Sequence, residues 1–184
     1  MKSRSLPHPA LPLVTAALAA AGLIPSARAQ LQVAPPVFVD IDATALPYGP
    51  IVSVTNHGTL GGVFQGFSNP VVADSPGGAT RALQFNGTSY MILVQSVGGP
   101  RIAPPAGLVG ASPTRSIEVW AYNETIDNEE TLVSWGRRGG PDGSNMSFNY
   151  GSDFRWGAVG HWGGDGPDLG WNDGGGAPEA GRWH

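Results

Sequence analysis

Residues 115–140, RSIEVWAYNETIDNEETLVSWGRRGG, constrain the fold of this chain more than any other stretch. From 116 to 122 the side chains alternate. Ile117, Val119 and Ala121 fall on one face, and Glu118, Trp120 and Tyr122 on the other. Period-two alternation of β-branched and aromatic residues is the pattern of a strand with one buried face. A polar, acidic connection (123–130) leads to a second expected strand over 131–135, closed by Gly136.

The first residues read as a targeting segment rather than as part of a fold. Lys2 and Arg4 give a basic start, 11–24 is apolar and rich in Ala and Leu, and Ala27-Arg28-Ala29 supplies small residues at alternate positions. A secretory signal peptide over 1–29 is therefore expected, cleaved between Ala29 and Gln30. The apolar run is too short, and interrupted at Pro12, for the roughly 20 residues that a membrane span needs. Cleavage would leave 155 residues, enough for one domain with a core. It would remove three of the ten basic residues and no acid, moving the net charge from −4 to −7. An acidic chain left without lysine is a poor partner for nucleic acid or an anionic membrane surface. The absence of cysteine excludes disulfides and thiolate metal sites.

After a short linker (30–36), residues 37–43 alternate as a strand would, with Val37, Val39 and Ile41 facing one way and Phe38, Asp40 and Asp42 the other. A turn at 46–50 precedes a strand expected over 51–55, ended by Asn56-His57-Gly58, and a weak, glycine-broken strand over 61–67. Residues 81–94 read as a hairpin about Asn86-Gly87. The segment 96–114, with four prolines and four glycines, is expected to wrap a sheet edge or to carry a binding loop. Met146, Phe148 and Tyr150 alternate, as do Phe154, Trp156 and Ala158, and glycine dominates 157–181. No window after the leader has helical periodicity. Short strands with Gly and Pro turns predict an all-β, two-sheet antiparallel sandwich or jelly roll.

Four motifs in order add a resemblance. Ala82-Leu83-Gln84-Phe85-Asn86-Gly87 with Tyr90, then Ser116-Ile117-Glu118-Val119-Trp120, then Thr131-Leu132-Val133-Ser134-Trp135-Gly136, then Gly181-Arg182-Trp183-His184 resemble successive strands of laminin-G-like, concanavalin-type jelly-roll domains. The likeness spans 37–184. It implies a jelly roll and, because such domains continue past the Trp-His strand, a chain that is the N-terminal part of a longer protein.

That family includes glucanases, which place their acids on one strand as Glu-x-Asp-x-x-Glu or a close variant. A retaining glycosidase needs two carboxyl groups about 5–5.5 Å apart. Here Trp120 and Tyr122 occupy the positions on the Glu118 face where further acids would stand, and Glu129 and Glu130 are adjacent and would point apart. His57 and His161 sit in glycine-flanked contexts with no nucleophile-elbow serine. No catalytic residue is assigned, and a non-catalytic module is expected.

The binding candidates lie late in the chain. Pyranose rings stack on exposed aromatic faces while amides and charged groups take the hydroxyls. Trp156, Trp162 and Trp171 with His161 and Asn172 form the candidate platform. Platform and core remain equally open for Trp162 and Trp171, and core comes first for Trp156. Trp120, Trp135 and Trp183 coincide with strand positions of the family and read as core. Arg137 and Arg138 read as an exposed turn, or as a pair gripping carboxylate or sulfate on an acidic polysaccharide.

Calcium wants six to eight oxygens, and Asp165, Asp168 and Asp173 share one glycine-rich loop with Asn172. Gly163-Gly164-Asp165-Gly166-Pro167-Asp168 matches the start of a calcium-binding nonapeptide. It occurs once, with Gly170 where a large apolar residue belongs. A solvated loop is the simpler alternative. The expected partner is a polysaccharide or glycosylated surface, with calcium as an auxiliary. A protein partner in adhesion, or a hydrolase whose catalytic residues lie beyond His184, are the alternatives.

Overall fold

Between 49 and 94 the chain makes three antiparallel passes, and a local break divides each into two strands. The first pass holds β1 (Gly49–Pro50) and β2 (Ser53–Thr55), the second β3 (Val63–Phe67) and β4 (Val71–Asp74), the third β5 (Arg81–Gln84) and β6 (Tyr90–Val94). They pair as β1-β4-β5 and β2-β3-β6, so the second pass is central in both sheets. The computed structural model describes residues 36–109, 115–136, 146–155, 157–160, 170 and 178–184.

The register explains why the meander turns a corner. Between the pairs Pro50↔Val71 and Ser53↔Gln65, residues 51–52 of the first pass lie opposite 66–70 of the second. Between Val71↔Gln84 and Phe67↔Tyr90, residues 68–70 lie opposite 85–89 of the third. Neighbouring passes of unequal length must bend, as at a β-bulge. In the second pass Ser68 (φ 55°) and Asn69 (φ 62°) take left-handed backbone, at about 1–2 kcal/mol for a non-glycine residue. They are held there by hydrogen bonds from Ile51 N to Pro70 O (2.8 Å) and from Gly66 N to Val52 O (2.9 Å). A Cβ on Gly66 would strike the Ile51 carbonyl, with Pro70 Cγ at 2.9 Å, so the corner requires glycine.

In the third pass Asn86 Oδ1 accepts from Thr88 N (3.0 Å) and Ser89 N (2.8 Å) around Gly87 (φ 80°). Residues 81–94 are therefore not the expected hairpin. Asn86-Gly87 carries the chain from one sheet to the other, and the Phe67 and Tyr90 rings stack at 5.2 Å over the corner.

One core serves both sheets. Ile51, Val54 and Val72 are buried, with Ile41, Leu46, Phe64, Leu83 and Met91 packed against them. Each fully buried aliphatic side chain contributes about 1.5–3 kcal/mol. The stretch expected to be a weak strand, 61–67, supplies the central β3, and β4 forms where no strand is expected. The strand expected over 37–43 has no ladder. A buried amide fixes it instead: Asn56 Oδ1 accepts from Asp40 N (2.9 Å) and Gly58 N (3.0 Å), and Nδ2 donates to Phe38 O (3.1 Å) and Gly61 O (2.9 Å). Because this segment binds a turn and not a sheet, its alternation fails and Val39 is exposed. The 96–114 segment begins as expected, along a sheet edge. Ile102 N donates to Leu93 O (3.0 Å) and Gly98 N to Gln65 Oε1 (2.9 Å) beside β6.

A third sheet holds β7 (Thr131–Trp135), β8 (Met146–Asn149) and β9 (Val159–Gly160), again antiparallel, in the order β7-β8-β9. Residues 116–122 show the expected alternation of burial, with Ala121 buried and Trp120 71% exposed. Among the described residues, however, their pairing is confined to one end. Ala121 and His184 exchange both backbone hydrogen bonds at 3.0 Å, and Tyr122 bridges to Trp183. Among the described residues the fold is thus all-β and antiparallel, with 3-10 turns at Ala43–Ala45 and Ala106–Leu108 and no α-helix. No helix of the described residues is long and apolar enough to cross a membrane.

Candidate functional site

The third sheet sets where the candidate segments leave the fold. Trp135 pairs with Met146, and Ser147 with Gly160. The C-terminal ends of β7 and β9 therefore lie at the same end of the sheet as the N-terminal end of β8. Gly136, in left-handed backbone (φ 82°), turns the chain away there. Arg137, Arg138, His161, Trp162, Asp165, Asp168, Trp171, Asn172 and Asp173 lie outside the described residues, as does Trp156. The segment that opens with Arg137 and Arg138 and the one that opens with His161 and Trp162 both depart from this one end. The neighbours of Trp156 lie at the opposite end, where Gly157 N donates to Asp153 O (2.8 Å) and Gly151 N to Gly157 O (2.9 Å).

Gly170 sits hard against the Phe154 carbonyl, and a Cβ there would collide with it. A large apolar side chain cannot occupy that position. The nonapeptide likeness therefore fails at this position for a backbone reason. Asp153, near in sequence to the candidate calcium acids, is held within its own turn. It accepts from Arg155 N (2.7 Å) and faces the Arg155 guanidinium at 3.6 Å. Among the described residues no three His, Asp or Glu side chains gather as a metal site.

The third sheet buries polar side chains. Ser147 and Asn149 are fully buried on the face of β8 opposite Met146, and Asn149 Oδ1 accepts from Thr131 Oγ1 (3.1 Å). Sequence alternation sets Met146, Phe148 and Tyr150 on one face; in the fold β8 is covered on both faces, with Phe148 its least buried residue. Tyr150 is buried beside His184, ring centroids 5.4 Å apart. Burial pushes its hydroxyl above the usual phenol range, with the Arg182 charge pulling the other way. Neither Tyr150 Oη nor Trp135 Nε1 finds a hydrogen-bond partner among the described residues. Arg115 lies over the Trp135 ring at 5.3 Å, and burial lowers its pKa.

Two tryptophans expected in the core are outside it. Trp120 is 71% exposed and Trp183 36%. Trp183 packs on Tyr122 (5.7 Å between centroids), and its Nε1 donates to Pro76 O (3.3 Å). The signal is present in the sequence, since alternation groups Trp120 and Tyr122 with Glu118 on the outward face. The likeness to the family's strand positions points the other way. Compared with models of protein families, with curated proteins and with solved structures, the chain matches none.

Proposed function

We propose that this chain is an exported, non-catalytic binding module of laminin-G/concanavalin jelly-roll type that takes a polysaccharide or glycosylated surface, assisted by calcium. The observation that supports it is topological: the segments opening with Arg137-Arg138 and with His161-Trp162 leave from one end of the third sheet. Loops gathered at one end of a rigid β-scaffold are where recognition residues concentrate. In this proposal Trp162 and Trp171 offer ring faces to pyranose C–H groups. Asn172 and His161 take hydroxyls, and the arginine pair holds a carboxylate or sulfate in bidentate fashion. Asp165, Asp168 and Asp173 supply oxygens to calcium.

Affinity electrophoresis of the full chain through gels cast with neutral and acidic polysaccharides, with calcium or with chelator, tests this. Retardation is expected in at least one polysaccharide, and Trp162→Ala should weaken it about tenfold or more. Free mobility in every gel would overturn carbohydrate recognition. A melting temperature that rises with calcium is expected by mass action. A calcium titration unchanged by Asp168→Asn with Asp173→Asn would remove the metal from the proposal.

A further inference from the structure

The outward aromatic strip at Trp120, Tyr122 and Trp183 belongs to none of the candidate segments above. Glu118, Trp120 and Tyr122 share one side of an extended segment, so neighbouring rings stand about 6–7 Å apart along it. Trp183 continues the strip from across the Tyr122 bridge. The aliphatic members, Ile117, Val119 and Ala121, point the other way. Trp120 is the most exposed ring of the strip at 71%, Trp183 is 36% exposed, and Tyr122 is half-buried between them, as are Ile117 and Val119 on the other side. We infer that this strip is a stacking platform for an uncharged run of pyranose units, in addition to the candidate segments that follow Gly136 and Gly160. The inference rests on the carbohydrate-binding function proposed above.

Area and charge select this occupant. Three rings of about 150–250 Å² each, partly covered, present under about 400 Å². A stable second copy or protein partner needs about 800 Å² on each side. A small ligand with flat apolar faces fits that size. On the segment itself the charge that shares a side with the rings is the exposed Glu118 carboxylate, and the nearby Arg182 guanidinium is paired with Glu179 at 2.5 Å. A carboxylate accepts from sugar hydroxyls and repels phosphate or sulfate, which disfavours an anionic lipid surface or a sulfated chain at this strip. Trp183 is fixed by its hydrogen bond to Pro76 O, so little ring freedom is lost on stacking.

Trp120→Ala is the informative variant, because the ring is mostly exposed and its loss should leave the melting temperature unchanged. Isothermal titration of the full chain with a soluble neutral β-glucan and with polygalacturonate, for wild type, Trp120→Ala, Trp120→Phe and Trp162→Ala, separates the possibilities. Expected are binding of the neutral glucan by wild type, about tenfold or more weakening by Trp120→Ala, and recovery of most of it by Trp120→Phe. Neutral-glucan binding that Trp120→Ala leaves intact and Trp162→Ala abolishes would overturn the platform while the carbohydrate function stood. Binding of polygalacturonate alone, or sedimentation showing a dimer that Trp120→Ala dissociates, would also overturn the platform. No binding of either polymer by wild type would overturn both.

Discussion

The meander of residues 49–94 and the sheet of β7, β8 and β9 are both built from antiparallel strands in threes, yet they are stabilised differently. The meander closes on aliphatic side chains, Ile51, Val54 and Val72, and on one fully used amide, Asn56. The other sheet buries Ser147 and Asn149 completely and, like the meander at Gly66, brings backbone against backbone at Gly151. It also leaves Trp135 Nε1 and Tyr150 Oη without partners among the described residues. A core of the first kind is sensitive to volume, with its polar demand concentrated in the Asn56 amide. An interior of the second kind depends on close approach and on hydrogen-bond geometry. In the function proposed above, the meander serves as scaffold, and the third sheet together with Trp120 and Trp183 is the region that meets a ligand.

Four substitutions sharpen or break that contrast. Gly151→Ala should be the most damaging, at about 3 kcal/mol or more in urea unfolding. Its Cβ would press into the Asn128 carbonyl, with Glu129 Cα at 2.9 Å, and would force apart a pair of backbone segments that cannot yield. Asn56→Ala should cost about 2–3 kcal/mol, since it strands the amides of Asp40 and Gly58 and the carbonyl of Gly61. Hydrogen exchange should localise that loss to 36–62. Val54→Ala should cost about 2 kcal/mol through lost burial and a cavity, lowering amide protection in 49–74. Equal loss of protection in 131–160 would mean that the two regions are one cooperative core and the contrast is wrong.

Tyr150→Phe should have the smallest effect and the opposite sign, leaving stability unchanged or raising it by up to about 1 kcal/mol, because it removes an unpartnered buried hydroxyl. Its pH dependence follows from the raised Tyr150 pKa. The neutral phenol is favoured in the folded state, so the stability it carries is complete below the ordinary phenol pKa of about 10. That stability is lost as pH rises through the higher folded value. Wild type should therefore show an alkaline decline that Tyr150→Phe reduces. An identical decline in both proteins would refute the assignment to Tyr150.

The all-β class and several strands are legible from alternation and turn residues, but the segment over 37–43 has no ladder and Val71–Asp74 forms a strand that alternation does not mark. The exposed position of Trp120 follows directly from period two, and Thr131–Trp135 forms a strand as expected. Pairing is not legible at the corner. Asn86-Gly87 is as good a turn between sheets as within a hairpin, and only the register of Val71–Asp74, a short Val-Val strand, decides which it is. Asn56 resembles the end of a strand in sequence because some of its partners are 16 to 18 residues away, on a segment that local pattern does not connect to it. The resemblance misleads at Trp120 and Trp183, where a family position implies burial. Alternation alone gives the observed side for Trp120.

The most direct test of the division between scaffold and ligand-meeting region is hydrogen exchange of the full chain with and without a saturating bound polysaccharide. Added protection should fall within 115–184, including residues 118–122 and 181–184, while the amides of β2, β3 and β6 stay unchanged. Protection gained across the meander with none in 115–184 would contradict the account.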